Sequence, residues 1–192
     1  MDDLAFYIQQ GVYHVLDRNA LDHVFFFIAL SLPYYIQDWK KSLWLITFFT
    51  LGHTITFGLS VYGFITIPVD FVEFLIPITI LIPLFLNAYN ESKYSKKLQE
   101  NYNIYFSFFF GLFHGLGFSN YFNMLLDKDA TKWIPLIEFS FGIEFAQIIV
   151  VSFVLLAGHL TQKYFQKKYW VWLVSFLIVL QIIPMLIERF PF

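Results

Sequence analysis

Five histidines and a few carboxylates interrupt this chain where it is otherwise most apolar. His114 stands in the middle of "FSFFFGLFHGLGFSN" (106–120), His53 inside "FTLGHTITF" (49–57) and Glu144 inside "FSFGIEFAQ" (139–147). His14, Asp22 and His23 come earlier, within "GVYHVLDRNALDHVFFFIAL" (11–30). Neutral imidazole and carboxylate together suit a borderline divalent ion such as Ni, Zn, Fe or Mn. The chain has no cysteine, which removes disulfides, cysteine nucleophiles and thiolate metal sites, and argues against copper(I). The candidate ligands are therefore His14, Asp22, His23, His53, His114 and Glu144. Glu73 and Glu138, nearer the ends of their segments, read as rim residues, with Thr54 and Gln147 as supporting polar neighbours. His159 reads as interfacial. An interhelical hydrogen-bond network that only holds helices together is the alternative use of the same side chains.

The elements that must position these groups follow from composition. Apolar residues make up 58% of the chain and aromatic ones 22%, while only 14% are charged, about half the share usual in a soluble domain. One soluble core of 192 residues could not hide 26 Phe, 12 Tyr and 5 Trp; a bilayer solvates them directly. Mean hydropathy of +0.63 agrees. With a net charge of −2, nothing points to nucleic acid. The start, "MDDLAFYIQQ", has two aspartates and no basic region, so no cleavable signal peptide is expected. The expected fold is an all-α, polytopic integral membrane bundle forming a single transmembrane domain over 1–192.

A span needs about 20 apolar residues, and six segments qualify: 20–37, 42–64, 68–88, 104–126, 133–159 and 169–188. The first reaches full length only by including Asp22 and His23. Residues 4–17 are amphipathic and are expected to form an interfacial or re-entrant helix. One long polar loop, "NESKYSKKLQENYN" (90–103), joins the third and fourth spans. Basic residues alternate between the two sides. Lys40, Lys41, Lys93, Lys96, Lys97, Lys163, Lys167 and Lys168 fall on one, and Arg18, Lys128, Lys132 and Arg189 on the other. The positive-inside rule then puts the lysine-rich side in the cytoplasm of an inner membrane, with both termini outside. Trp39, Trp44, Trp133, Trp170 and Trp172 collect near span ends, as an aromatic belt does.

On that orientation the ligand candidates all lie in the outer half of the bilayer or at its middle. A charge at mid-bilayer costs on the order of 2.5–3.5 kcal/mol on insertion scales, so such groups face a partner or a cavity. Ser140, Glu144 and Gln147 share one helical face, and Thr50 and His53 another. Gly111 and Gly115 form a small-xxx-small pair that admits a neighbouring backbone.

In order along the chain, these motifs resemble the HupE/UreJ membrane proteins. The match runs through the Gly-x-x-His-Val-Leu…Asp-His opening, "FTLGHTITF", "VEFLIPITI" with "NAYN", "FGLFHGLGF" and "FSFGIEFAQ". It covers Gly11 to about Gln147. Ser140 departs from it, standing where an asparagine is usual. The resemblance implies roles for His14, Asp22, His23, His53, Glu73, His114, Glu144 and Gln147, and a nickel-permease type of function. Two functions follow as expectations. One is divalent-metal transport through a His/Asp/Glu site, of nickel type. The other is a zinc-dependent intramembrane hydrolase acting on a lipid or exported substrate, with Glu144 as general base. A metal-dependent accessory or assembly role is a third. The expected partners are the lipid bilayer and a divalent transition metal, Ni or Zn.

Overall fold

The computed structural model describes residues 2–18, 21–90, 96–126 and 131–191, with side chains for 5–18, 21–89, 103–119, 121–126 and 131–191. Every regular element among them is helical: α1 (Asp2–Leu16), α2 (Asp22–Ser31), a 3-10 turn (Ile36–Asp38), α3 (Trp39–Val61), α4 (Val69–Asn90), α5 (Lys96–His114), α6 (Ser119–Leu125), α7 (Trp133–Gln162) and α8 (Lys167–Glu188). Among the described residues, four stretches are long and apolar enough to cross a bilayer: Ile36–Val61, Val69–Tyr89, Trp133–Gln162 and Lys167–Glu188. The chain is an all-α, multi-pass membrane protein.

Two of the six expected spans take another form. The first, 20–37, has as its one α-helix among the described residues the 10-residue α2, about 15 Å long and half of what a crossing needs. Pro33 follows two residues after Ser31, and it lacks the N–H that would carry the helix on to the Ala29 carbonyl, which Asn87 Nδ2 takes instead. The fourth, 104–126, is broken. α5 ends at His114, and the chain winds down through Leu116 N–H to Phe113 O (3.2 Å) and Gly117 N–H to His114 O (3.4 Å) before α6 begins. The expected polar loop is shortened too, because α5 already starts at Lys96. The rest of that loop, 91–95 with Lys93, lies outside the described residues, as do Lys128 and the side chains of Lys96 and Lys97.

Glycines set how closely the helices cross. A Cβ on Gly52 would fall on the Phe108 carbonyl oxygen, one on Gly111 on that of Phe49, and one on Gly115 on that of His53. α3 and α5 thus meet backbone to backbone, as the Gly111–Gly115 pair leads one to expect. A second crossing of this kind joins α1 to α7, where Gly11 meets the Phe139 carbonyl and Gly142 that of Ile8. The pairing of Ile8 with Gly142 and Gly11 with Phe139 makes α1 antiparallel to α7. α1 packs along α7 through this crossing and leaves Phe6, Tyr13 and Leu16 exposed on its other side.

Polar ties fix the ends. At one, Lys167 Nζ donates to the Pro33 carbonyl (2.7 Å) and lies 4.5 Å from the Tyr35 ring centroid. At the other, Lys132 Nζ donates to the Val61 carbonyl and Asn123 Oδ1, both at 3.0 Å. In between, Asn87 Nδ2 donates to the Ala29 carbonyl (2.6 Å), holding α4 against α2. The Phe25–Phe27 run packs as well as facing lipid, since Phe26 and Phe27 are fully buried.

Candidate metal centre

Four elements bring imidazoles to one place. His14 comes from the last turn of α1, His23 from the first turn of α2, His53 from α3 and His114 from the last residue of α5. His53 lies 14 residues above Trp39, about 21 Å at 1.5 Å per residue, so the group sits nearer the α3 end that carries Val61. His14, His23 and His53 each offer one ring nitrogen, and these three atoms lie within 4.8 Å of one another. His114 stands beside them, its ring centroid 4.9 Å from that of His23, but outside that trio.

The hydrogen bonds leave the facing nitrogens bare. Among the described side chains, the buried nitrogens without a partner include His14 Nε2, His23 Nε2, His53 Nδ1 and Nε2, and His114 Nδ1. Orphaned buried polar atoms are costly and rare; each neutral ring has one lone pair to give, and those of His14, His23 and His53 are close enough to suit one cation. Asp22 Oδ1 accepts both the backbone N–H of His23 (2.8 Å) and its ring Nδ1–H (3.1 Å). That bond puts the ring proton on Nδ1 and turns Nε2 into a lone-pair donor, the usual support of a metal-bound histidine by a carboxylate. Asp22 thus stands behind His23 and outside the trio. Thr79 plays a similar part for His114. Its hydroxyl donates to the Ile76 carbonyl (2.6 Å), so toward His114 Nε2 (3.3 Å) it accepts. In the neutral ring Nδ1 is then the bare atom.

Aromatic rings close the surroundings. Phe118 and Phe139 lie 4.0 and 5.6 Å from His14, Phe57 5.6 Å from His53, and Phe49 and Phe26 5.2 and 5.5 Å from His114, centroid to centroid. Such walls limit water and strengthen the pull between a cation and its donors. His14 also lines a cavity of about 730 Å³ with Gln10, Tyr13, Asp17, Arg18 and Tyr121.

Asp22→Asn is expected to weaken Ni²⁺ or Zn²⁺ binding about 10- to 100-fold, the range for losing such a carboxylate. An amide can offer N–H to Nδ1 and so turn the His23 proton onto the wrong nitrogen. Competition against a chromogenic chelator measures it; unchanged affinity would remove Asp22 from the centre.

Glu144 and its neighbours form a separate seam. Thr47 Oγ1 donates to Glu144 Oε1 (2.8 Å), Thr50 Oγ1 to Gln147 Oε1 (2.9 Å) and Thr54 Oγ1 to Ser140 Oγ (2.8 Å). These three rungs join α3 to α7. Thr47, Thr50, Thr54, Ser140 and Glu144 share a cavity of about 230 Å³ that none of the four histidines lines. Glu138 is buried in α7, whereas Glu73 is exposed in a cavity of about 400 Å³ with Asp70, Glu188 and Arg189. His159 is exposed in the last turn of α7. Two residues with a direct part in the geometry, Thr79 and Arg189, carry no motif that would single them out. The Nη1 of Arg189 lies 3.4 Å from Asp22 Oδ2, a contact across most of the chain.

A family model described as HupE / UreJ protein matches residues 1–189. No curated protein and no solved structure matches the chain.

Proposed function

We propose, starting from the fact that this chain belongs to the HupE/UreJ family, that it carries a borderline divalent metal ion of nickel type across the membrane. The observation that bears this reading is the convergence of three buried imidazoles with unpartnered nitrogens, in a chain without thiols. Imidazoles hold such an ion without the grip of thiolates, and transport requires release. Interrupted helices support the same reading, because transporter sites are commonly built at helix breaks near the bilayer middle. Here the centre lies between the start of α2 and the end of α5.

In this account the ion enters through the cavity beside His14 and passes to His23 and His53, with His114 alongside. The lysine-rich ends face the cytoplasm. Thr47 lies six residues below His53 along α3, about 9 Å, so the seam from Thr54 to Glu144 leads inward from the centre. Asn87 is engaged with α2 and takes no part.

Uptake of Ni²⁺ into proteoliposomes tests the proposal, with Glu144→Gln as the decisive variant. Flux is expected to fall tenfold or more, about 1.4 kcal/mol on the limiting barrier, while equilibrium binding at the histidines stays near wild type. Glu73→Gln, at the rim, is expected to lower binding less than loss of His53. Wild-type vesicles that gain no metal over empty ones would sink the transport reading.

One observation favours a second reading. Three histidines with an open position are also a zinc hydrolase's ligand set, and the 730 Å³ cavity at His14 has room for an organic substrate. Glu144 lines a different cavity, so the general base of such an enzyme would have to be another group.

A further inference from the structure

Arg189 is the C-cap of α8, and its guanidinium reaches the first helical residue of α2. Nη1 lies 3.4 Å from Asp22 Oδ2, with the Arg189 side chain 20% exposed and that of Asp22 8%. The other oxygen, Oδ1, already holds His23 through its backbone N–H and its ring Nδ1. One buried carboxylate is therefore shared between an imidazole that faces the histidine centre and a permanent cation.

From this juxtaposition we infer that Arg189 is a positioning residue that sets how tightly the centre holds a divalent cation. It acts in two ways with the same sign. By drawing on Asp22 it leaves His23 Nε2 a weaker donor than a carboxylate-backed histidine would otherwise be. Its own fixed charge, always present on a guanidinium, also repels an ion at the histidines through a medium less polar than water. Arg189 also lines a cavity with Asp70, Glu73 and Glu188. Those carboxylates give the guanidinium alternative partners when Asp22 is drawn toward a bound ion. A centre built only from imidazoles and an unshared aspartate would hold its cargo more firmly; the arginine keeps it exchangeable. The inference rests on reading the three imidazoles as a cation centre.

The test uses the full chain in lipid nanodiscs with Co²⁺ as the probe, because its visible absorption reports the ligand set. Wild type, Arg189→Gln, Arg189→Met and Arg189→Lys are titrated, then chased with excess EDTA. Either neutral variant that elutes as a single species decides the outcome. It should bind Co²⁺ about tenfold tighter, release it more slowly and keep the wild-type band shape. Arg189→Lys, which keeps the charge, should stay within about threefold of wild type. A merely structural arginine would give equal or weaker binding in the neutral variants, and that result overturns the inference. Wild type that binds no Co²⁺ would instead remove the cation centre itself.

Discussion

His53→Ala is expected to lower Ni²⁺ or Zn²⁺ affinity by more than the roughly 100-fold upper range for supporting residues. His53 is fully buried, and both its ring nitrogens lack a partner. Its removal therefore breaks no side-chain hydrogen bond among the described residues, and it deletes two orphaned polar atoms whose burial is itself unfavourable. A histidine that served only packing would behave differently. Its loss would leave the same cavity, costing a few kcal/mol, but would have no effect on metal binding. The discriminating measurement is thermal unfolding with and without metal. Wild type at a hundredfold excess over Kd should gain about 2.7 kcal/mol from binding, and His53→Ala should gain almost nothing. His14→Ala and His23→Ala should follow it, and His114→Ala should have the smaller effect of a neighbour to the trio.

The second large effect is expected at the crossing of α3 and α5. Gly52→Ala and Gly111→Ala each place a Cβ on a carbonyl oxygen of the facing helix. No rotamer relieves a clash with backbone, so the cost lies at or above the upper end of overpacking, at least ~3 kcal/mol. For a chain of this size that is a fall in melting temperature of roughly 6–12 °C. Because Gly115 packs on the His53 carbonyl, spreading these helices also displaces His53 from its partners, so metal binding should fall with stability. Gly58 in the same helix is the internal control. A Cβ there meets only Leu136 Cδ1 at 3.6 Å, an ordinary contact, and Gly58→Ala should be neutral or stabilising by up to about 1 kcal/mol. Equal behaviour of Gly52→Ala and Gly58→Ala would mean that the close crossing is wrong.

Much of the centre is legible in the sequence because a membrane makes polar residues conspicuous. His14, Asp22, His23, His53 and His114 stand out against apolar neighbours, and counting residues along a span gives their depth. Depth does not give azimuth. Glu144, counted to a similar depth, instead meets Thr47, six residues below His53, on the threonine stripe of Thr47, Thr50 and Thr54, and so joins another cavity. Its grouping with Ser140 and Gln147 on one helical face was readable and holds, since all three accept hydroxyls from α3. The helix breaks were partly readable. Hydropathy averages over a window and runs straight through 104–126, whereas the residues that end α5, Gly115 and Gly117, read only as small residues for close packing. Pro33 marked the end of α2 within a segment that otherwise averaged as a span. Arg189 left no local trace at all, because its partner Asp22 is 167 residues away and only the fold of α8 beside α2 joins them.

The most direct test of the central claim is metal stoichiometry on tag-free protein in nanodiscs. Elemental mass spectrometry after Ni²⁺ loading would be paired with X-ray absorption at the metal edge. The account expects about one exchangeable ion per chain, with imidazole nitrogens among its nearest neighbours at ordinary bonding distance, and no ion in His53→Ala. Protein that folds, carries no bound metal after loading and shows no difference from His53→Ala would contradict it.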